Sequence, residues 1–255
     1  MNRSLIAALS VAIAVALSPS INAQWPLHPA NIPIGPDGKP NLNAPVPRNA
    51  NGRPDLSGVW MIAAAPDTRQ LPFQPWAADL QAKRAAEGGL NDPDGLCMPQ
   101  GPLQYHVDPQ PLKIVQTSTQ ILILYESNYG LRTIYMDGRA LPPLGGPQPF
   151  WHGYSVGRWD GDTLVVDTVG IKDTVQYQRI PHSDQMRITE RIRLAAPNIL
   201  HDQITIEDPV VLEKPITYTL AYSRMPDYEM VEFVCDNNRE YVDANGVVRM
   251  RTRGK

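Results

Sequence analysis

The sequence predicts an all-β fold, an antiparallel meander that closes into a barrel, with one short helix and a Pro-rich N-terminal arm. From residue 57 onward, short runs of alternating or β-branched residues follow one another between turn signals, which is typical of consecutive strands. No helical segments separate these runs, although parallel strands need such crossovers. A meander of about ten short strands closes most readily into a barrel. The predicted strands are 57–64, 113–118, 121–127, 131–137, 151–159, 162–170, 185–194, 200–208, 216–223 and 228–235.

The N-terminal segment has the pattern of a secretory signal peptide. Arg3 gives the positive start, an apolar run covers 5–17, and Ile21-Asn22-Ala23 is a suitable cleavage end. We therefore expect a protein that is periplasmic or secreted after cleavage near Ala23. The apolar run is shorter than the roughly 20 residues that span a bilayer, so we expect no transmembrane segment.

The rest of the chain divides into an arm, one domain and a tail. Residues 24–54 contain eight prolines and form an extended arm across the surface. Residues 76–87 are rich in alanine and precede Gly88-Gly89, which predicts a helix that ends there. We expect 55–240 to form a single β-barrel domain and 241–255 to form a C-terminal tail.

The start of the first predicted strand resembles that of a lipocalin-like barrel. Ser57-Gly58-Val59-Trp60 is similar to the Gly-x-Trp with which such barrels begin, where the tryptophan plugs one end. This resemblance implies a lipocalin-like β-barrel and makes Trp60 a candidate for the substrate-binding lining.

A wider resemblance covers residues 54–236. The segments that carry it are 54–60, 97–101, 132–139, 151–168 and 232–235. Together they resemble a family of exported bacterial proteins of unassigned activity. The resemblance implies one domain and an export route, and it carries no activity over to this chain.

Residues 151–168 are the most informative segment, because two alternating runs meet at Asp160-Gly161. Asp-Gly is a strong signal for a two-residue hairpin turn, so we expect Trp159 to lie opposite Asp162. One face of the hairpin then carries most of its reactive groups. That face holds His152, Tyr154, Val156, Arg158, Val165 and Asp167.

The predicted strand 185–194 places a carboxylate among apolar residues. Its apolar side holds Met186, Ile188, Ile192 and Leu194. Glu190 falls on the same side, where loss of water would raise its pKa unless a cation meets it. Arg132 or Arg158 could be that cation. Glu190 is therefore either a group for acid or base chemistry or one half of a structural ion pair.

These groups predict a periplasmic barrel enzyme that acts on a small organic molecule by acid/base chemistry, such as elimination, hydration or isomerisation. His152 would transfer the proton, with Tyr154 or Glu190 as its partner. Asp167 would orient His152 or Tyr154. Such an enzyme would be a cofactor-independent lyase or isomerase.

Further residues are candidates for substrate binding. Arg158 and Arg132 would hold an anionic or enolate-like group. His182 lies just before a predicted strand, in a loop that could rim the barrel mouth.

Two other functions remain open at this point. The chain could be a non-catalytic binding protein, in which the same polar groups fix the head of a ligand whose apolar body fills the barrel. It could also be an envelope-associated structural protein whose polar interior row is a satisfied hydrogen-bond network. If the chain is the enzyme or the binding protein, its partner is a small-molecule ligand or substrate.

Several common chemistries lack their sequence motifs. No two of the five histidines have a spacing typical of metal ligands, and Cys-x-x-Cys is absent, so we expect no metal. The alternative is a site assembled from the distant His152, His182 and Glu190, since strands bring distant residues together. No Gly-rich loop joins a strand to a helix, so we expect no nucleotide cofactor. The Gly-x-Ser-x-Gly at 153–157 lies inside a strand, which argues against a serine hydrolase. A net charge of −3 without a basic stripe argues against nucleic acid.

The chain has two cysteines, Cys97 and Cys235. Because export favours oxidation, we expect a disulfide that closes a long loop. The alternative is two free buried thiols that act as small apolar residues.

Overall fold

The protein is described by a computed structural model that covers residues 33–39, 41, 43–63, 71–87, 98–106, 110–127, 130–146, 149–173, 175, 181–231, 240–246 and 248–250. Nine strands form a closed barrel in the order of the sequence. The all-β barrel that the sequence predicts is thereby confirmed. The strands are β1 Gly58–Ile62, β2 Leu112–Gln116, β3 Gln120–Tyr125, β4 Leu131–Tyr135, β5 Tyr154–Asp160, β6 Thr163–Val169, β7 Arg187–Ala196, β8 Ile199–Glu207 and β9 Ile216–Arg224.

The barrel departs from a pure antiparallel meander at one place. β4 and β5 run parallel and pair only through Ile134 with Ser155 and Tyr135 with Val156. All other neighbours are antiparallel, and β1 pairs with β9 to close the barrel. Residues 136–153 connect β4 to β5, a length that lets the chain return to the same end of the sheet before the next strand begins.

Two helices lie among the described residues. α1 spans Pro75–Ala86, one residue earlier than the sequence predicts, and its first-turn proline has no N–H to satisfy. α2 spans Pro102–Tyr105 and was not predicted. Leu103 and Tyr105 of α2 are buried in the core. The described part of the chain contains no helix long and apolar enough to cross a membrane.

The barrel interior is filled by side chains from alternate strand positions, as the period of a strand requires. The largest fully buried apolar residues of the strands are Trp60, Ile121, Ile134, Leu164, Ile188, Ile204 and Leu220. Trp60 donates from Nε1 to the Leu56 carbonyl at 2.9 Å, and the Arg224 guanidinium covers its ring at 4.2 Å. These contacts join the first and last strands where the barrel closes.

The β5–β6 hairpin turns one residue later than expected. Asp160 pairs with Thr163, so the turn lies at Gly161-Asp162, and Gly161 has a φ of 59°. The predicted pairing of Trp159 with Asp162 is therefore wrong. The shift moves each partner by two positions, which preserves the predicted face because strand side chains alternate with a period of two.

That polar face points away from the barrel interior. Arg158 has a side chain that is 64% exposed, whereas Ser155 and Thr168 on the opposite face are completely buried. Gly157 lies two positions after Ser155 on the same face, and a Cβ there would come within 2.8 Å of Ile134 Cγ2. The small residues of this hairpin thus face the interior, where little space is available.

The segments outside the barrel meet the predictions only in part. The arm packs near the hairpin turn, where Arg48 forms a 2.6 Å ion pair with Asp162. Residues 228–231 of the tenth predicted strand are not a strand. β10 Glu240–Val242 and β11 Val248–Met250 instead form a separate two-stranded sheet, largely within the predicted tail. Residues 1–23 and the two cysteines, Cys97 and Cys235, lie outside the described residues.

Candidate functional site

The barrel interior contains a polar cluster built from inward positions of five neighbouring strands. Its members are Arg132 on β4, Ser155 on β5, Thr168 on β6, Glu190 on β7 and Asp202 on β8, together with His106 at the end of α2. We call this set the interior cluster. All six residues are buried among apolar side chains, so each polar atom needs a partner inside the protein.

Arg132 connects most of the interior cluster. Its Nη1 donates to Glu190 Oε1 at 2.8 Å, and its Nη2 donates to Glu190 Oε2. Nε donates to Ser155 Oγ at 3.1 Å, and Nη2 also donates to Thr168 Oγ1 at 2.7 Å. Burial alone would raise the pKa of Glu190, but the charge and hydrogen bonds of Arg132 outweigh burial and hold that pKa below its usual value. The sequence allowed Arg132 or Arg158 as the cationic partner of Glu190, and in the structure the partner is Arg132.

Asp202 and His106 also belong to the interior cluster, but neither forms an ion pair as close as that between Arg132 and Glu190. Burial and the nearby Glu190 charge raise the pKa of Asp202 well above its usual value. Its Oδ1 is buried and has no hydrogen-bond partner within the part of the chain that the structure describes. His106 contacts Tyr218 Oη through Nδ1 at 3.1 Å, and its Nε2 lies 3.9 Å from Glu190 Oε1. Burial lowers the pKa of His106 to about 4. His106, Glu190 and Asp202 each place one possible metal-ligand atom within 4.8 Å of the others.

The cavity beside the interior cluster is small. Its volume is about 30 Å³, which is enough to hold water, since one water molecule needs roughly 10–15 Å³ of such space. The walls are mainly apolar side chains of β1, β2, β3, β7 and β8, and they include Trp60. The barrel fold is compatible with lipocalin-like binding, and this cavity is the interior space beside the cluster.

A larger pocket lies on the outside of the barrel, where β4 and β5 meet. Its volume is about 320 Å³. The lining residues are Pro99, Leu131, Thr133, Tyr135, Phe150, Trp151, His152, Gly153 and Tyr154. We call this the seam pocket, because it follows the one parallel strand pair of the barrel. Since β4 alternates, Thr133 faces this pocket while Arg132 faces the interior cluster.

The backbone turn at 150–153 presents the aromatic residues of the seam pocket. Phe150 N donates to the Gly170 carbonyl at 2.9 Å, and Lys172 N donates to the Phe150 carbonyl at 3.0 Å. Gly153 has a φ of 68°, and a Cβ there would lie 2.9 Å from the Val169 carbonyl. Glycine at this position lets the chain pass close to β6 before β5 begins. Trp151 and His152 are thereby fixed at the edge of the barrel.

His152 connects the seam pocket to the aromatic residues beneath it. Its ring centroid lies 5.7 Å from that of Tyr105 and 6.1 Å from that of Tyr125. Tyr105 and Tyr125 stack on each other at 3.7 Å, and Tyr125 lines the interior cavity. Burial and the charge of Arg132 lower the pKa of His152 to about 4, so its imidazole is neutral near pH 7. His152 Nδ1 is buried and finds no hydrogen-bond partner in the described ranges of the chain.

The predicted catalytic residues do not form one site. His152 and Tyr154 line the seam pocket, whereas Glu190 lines the interior cavity with Arg132. The expected pairing of His152 with Glu190 across one cavity is therefore absent from the described geometry. β4 separates the two sites, because its successive side chains point to opposite faces.

The expected roles of Asp167 and Arg158 are also corrected. Asp167 accepts hydrogen bonds from Arg158 at 2.7 Å, Arg187 at 3.2 Å and Thr189 at 2.9 Å. It therefore belongs to an ion-pair network on the outer surface and does not orient His152 or Tyr154. Arg158 lies outside both cavities and carries no substrate-binding position there.

His182 lies away from both sites. It is buried in the loop before β7, and its Nδ1 contacts the Ser183 carbonyl at 3.1 Å. Asp208 fixes this loop by accepting from Ser183 N at 2.7 Å. His182 was expected at the rim of the barrel mouth. It instead lies buried in a loop that packs against the β8–β9 connection.

Sequence reasoning assigned no site role to four members of the interior cluster, which are Ser155, Thr168, Asp202 and His106. Asp202 lies on the same strand face as Leu200, Ile204 and Ile206. The alternation of side chains that identified Glu190 as a carboxylate among apolar residues would also have identified Asp202. His106 carries no such signal, because it reaches the cluster only through the fold of α2 over the barrel. The aromatic character of the seam pocket was also missed, since Tyr135 and Trp151 come together only through the parallel pairing.

Comparisons with known proteins give no further assignment. Neither the protein-family models nor the curated proteins contain a match to this chain.

Proposed function

We propose that this chain is an exported β-barrel protein that binds a small planar aromatic molecule in the seam pocket. The observation that carries the proposal is a pocket of about 320 Å³ with the rings of Tyr135, Phe150, Trp151, His152 and Tyr154 in its lining. Ligand pockets commonly have volumes of about 300–1,000 Å³ and a mainly apolar or aromatic lining. The export route rests on the signal-peptide pattern of residues 1–23.

The tyrosine walls of the seam pocket are held in place before a ligand arrives. The rings of Tyr135 and Tyr154 lie 5.2 Å apart. The Arg139 guanidinium lies 3.7 Å over the Tyr135 ring and donates to Tyr154 Oη at 3.0 Å. Asp137 in turn accepts from Arg139 Nη2 at 2.6 Å. Preorganised side chains reduce the entropy that binding must overcome.

The exposed residues of the pocket also favour a flat apolar ligand. Leu131 is 52% exposed and Phe150 is 49% exposed, although both are large and apolar. An exposed apolar patch rimmed by polar groups is typical of a binding surface. Thr133 and Tyr154 add hydroxyl groups at the lining, and the neutral His152 adds an imidazole. An aromatic ring with a polar substituent would match both the exposed apolar surface and the polar groups of the seam pocket.

Binding accounts for this geometry better than acid/base catalysis does. A histidine that transfers protons is normally oriented by a second group. Among the described residues, His152 Nδ1 has no such partner, and Asp167 and Glu190 are engaged by arginines elsewhere. The ring of His152 instead packs on Tyr105 and Tyr125 as part of the wall.

The proposal is tested by calorimetric titration with 2-naphthol and with its saturated counterpart decahydro-2-naphthol. The two molecules have similar size and the same hydroxyl group, but only the first has an aromatic face. Because each aromatic pair contributes about 0.5–1.5 kcal/mol beyond burial, we expect 2-naphthol to bind about tenfold more tightly. Equal affinities, or no saturable binding of either compound, would overturn the proposal.

Variants locate the binding to the seam pocket. Tyr135→Ala and Tyr154→Ala each remove one wall and should weaken 2-naphthol binding by about tenfold. Asp167→Asn changes the outer ion-pair network, so its affinity should equal that of the wild type. If the two alanine variants bind as the wild type does, the seam pocket is not the site.

A further inference from the structure

We propose that the interior cluster is a binding site for one divalent first-row transition-metal ion, held by His106, Glu190 and Asp202. The three ligand atoms all lie within 4.8 Å of one another. They come from α2, β7 and β8, so three separate elements of the fold converge on one point. This site is independent of the seam pocket and of its ligand.

The donor set selects a class of ion. One imidazole nitrogen and two carboxylate oxygens suit Zn²⁺, Mn²⁺ or Fe²⁺, whereas Ca²⁺ and Mg²⁺ prefer oxygen ligands throughout. All three residues are less than 5% exposed, with His106 at 3%, Glu190 at 2% and Asp202 at 4%. Buried carboxylates and imidazoles that converge in this way need a partner that compensates for lost water.

Asp202 provides an independent indication that the cluster lacks a partner. Among the described residues its buried Oδ1 has no hydrogen-bond partner, although the neighbouring Arg132, Ser155 and Thr168 are joined to one another and Arg132 is joined to Glu190. A buried acceptor without a partner has lost its hydration without a compensating contact, which destabilises the folded protein. A cation beside Asp202 Oδ1 would remove that destabilisation.

The imidazole of His106 is oriented as that of a metal ligand is. Its Nδ1 contacts Tyr218 Oη at 3.1 Å, which leaves Nε2 to face Glu190 Oε1 at 3.9 Å. Metal-binding histidines almost always use their second nitrogen in this way, since the outer hydrogen bond fixes the ring. Tyr218 is therefore a positioning residue for the site.

The space and the charges set limits on what the site can hold. The adjacent cavity of about 30 Å³ has room for an ion together with bound water. Arg132 already balances the charge of Glu190 through two hydrogen bonds. Asp202 must therefore supply the negative charge that meets the cation, which makes it the decisive ligand.

The test uses the full chain without an affinity tag, stripped with a chelator and titrated with Zn²⁺ in a calorimeter. We expect one Zn²⁺ per chain, confirmed by metal analysis after gel filtration. Asp202→Asn keeps the size of the side chain and its capacity for hydrogen bonds, so it should fold while losing about 100-fold or more in affinity. Tyr218→Phe removes the contact with His106 Nδ1 and should lower the Zn²⁺ affinity by about tenfold. This is the lower end of the effect of residues that orient a metal ligand.

Controls separate this site from surface binding and from misfolding. His201→Gln and Asp160→Asn change outward-facing residues of β8 and β5 and should bind Zn²⁺ as the wild type does. Circular dichroism and the melting temperature in chelator show whether Asp202→Asn is folded. Absence of stoichiometric Zn²⁺ binding by the wild type, or full binding by a folded Asp202→Asn protein, would refute the proposal.

Discussion

Arg132 on β4 and Glu190 on β7 form a two-pronged ion pair inside the barrel, although 58 positions separate them in the sequence. Arg132 is 1% exposed and Glu190 is 2% exposed. The same guanidinium reaches Ser155 on β5 and Thr168 on β6. One side chain thus connects four consecutive strands, including both members of the parallel pair. A buried charge depends on these partners, since an unpaired charge is costly in a low-dielectric interior.

Glu190→Gln should destabilise the protein strongly, because it leaves the Arg132 charge buried without a counter-ion. Breaking a buried pair by removing one partner typically costs about 3–5 kcal/mol. We expect a loss of this order in the free energy of unfolding, measured by urea denaturation in the presence of a chelator. The chelator keeps any bound metal ion from contributing to the difference.

The matched control for Glu190→Gln is an exposed ion pair on the outside of the same sheet. Arg191 Nη2 lies 2.9 Å from Asp160 Oδ2, and both side chains are well exposed. Arg191→Gln should have a small effect, since solvent screens such pairs. Similar losses in the two variants would show that Arg132 is not a desolvated charge that depends on Glu190.

His152 should contribute to the pH dependence of stability. Its pKa is lowered to about 4 in the folded protein by burial and by Arg132, whereas an unfolded histidine has a pKa near about 6.5. Between these values the unfolded chain binds a proton that the folded protein does not. The free energy of unfolding should therefore fall as the pH is lowered from about 6.5 to about 4, by up to roughly 3 kcal/mol from this residue.

The contribution of His152 is isolated by comparison with His152→Phe. The phenyl ring retains stacking on Tyr105 and Tyr125 but cannot titrate. The lowered pKa values of His106 and His182 contribute to the slope in both proteins, so they cancel in the difference. The stability advantage of the wild type over the variant should shrink as the pH falls. Parallel pH curves would contradict a buried, neutral His152.

Most of the barrel could be predicted because strand periodicity is a local signal. Nine of the predicted strands correspond to the nine strands of the barrel, and the row that contains Glu190 was assigned to the correct side. The parallel pairing of β4 with β5 could not be predicted, since residues 136–153 carry no periodic pattern that reveals where the chain returns. An Asp-Gly pair likewise locates a turn without fixing its register to one residue.

The sites were harder to predict than the fold, because residues distant in sequence form them. The alternation of side chains within β5 and β6 was predicted correctly, but periodicity cannot say whether a face points into a barrel or out of it. The closed β6–β7 pairing decides this, as it places Val166 opposite Glu190 and Asp167 opposite Thr189. Asp167 therefore shares the outer surface with Thr189, and Glu190 shares the interior with Val166.

Two glycines of the same hairpin should respond differently to alanine, because different physical requirements select them. Gly157 has a negative-φ strand position, but a Cβ there would lie 2.5 Å from Met136 Sδ and 2.8 Å from Ile134 Cγ2. Gly161 has a φ of 59° with nothing within 4 Å of a Cβ. Gly157→Ala should thus overpack the interior and cost about 1–3 kcal/mol. Gly161→Ala should cost about 1 kcal/mol from the left-handed backbone alone.

A third substitution separates these two causes. Asn tolerates the left-handed region better than Ala does, so Gly161→Asn should be closer to the wild type than Gly161→Ala. Gly157→Asn has no such advantage, because its larger side chain meets Ile134 in the interior. Urea denaturation of the four variants measures both differences. If Asn is worse than Ala at both positions by the same amount, Gly161 is not selected by its backbone conformation, and the observed one-residue shift of the turn loses its physical basis.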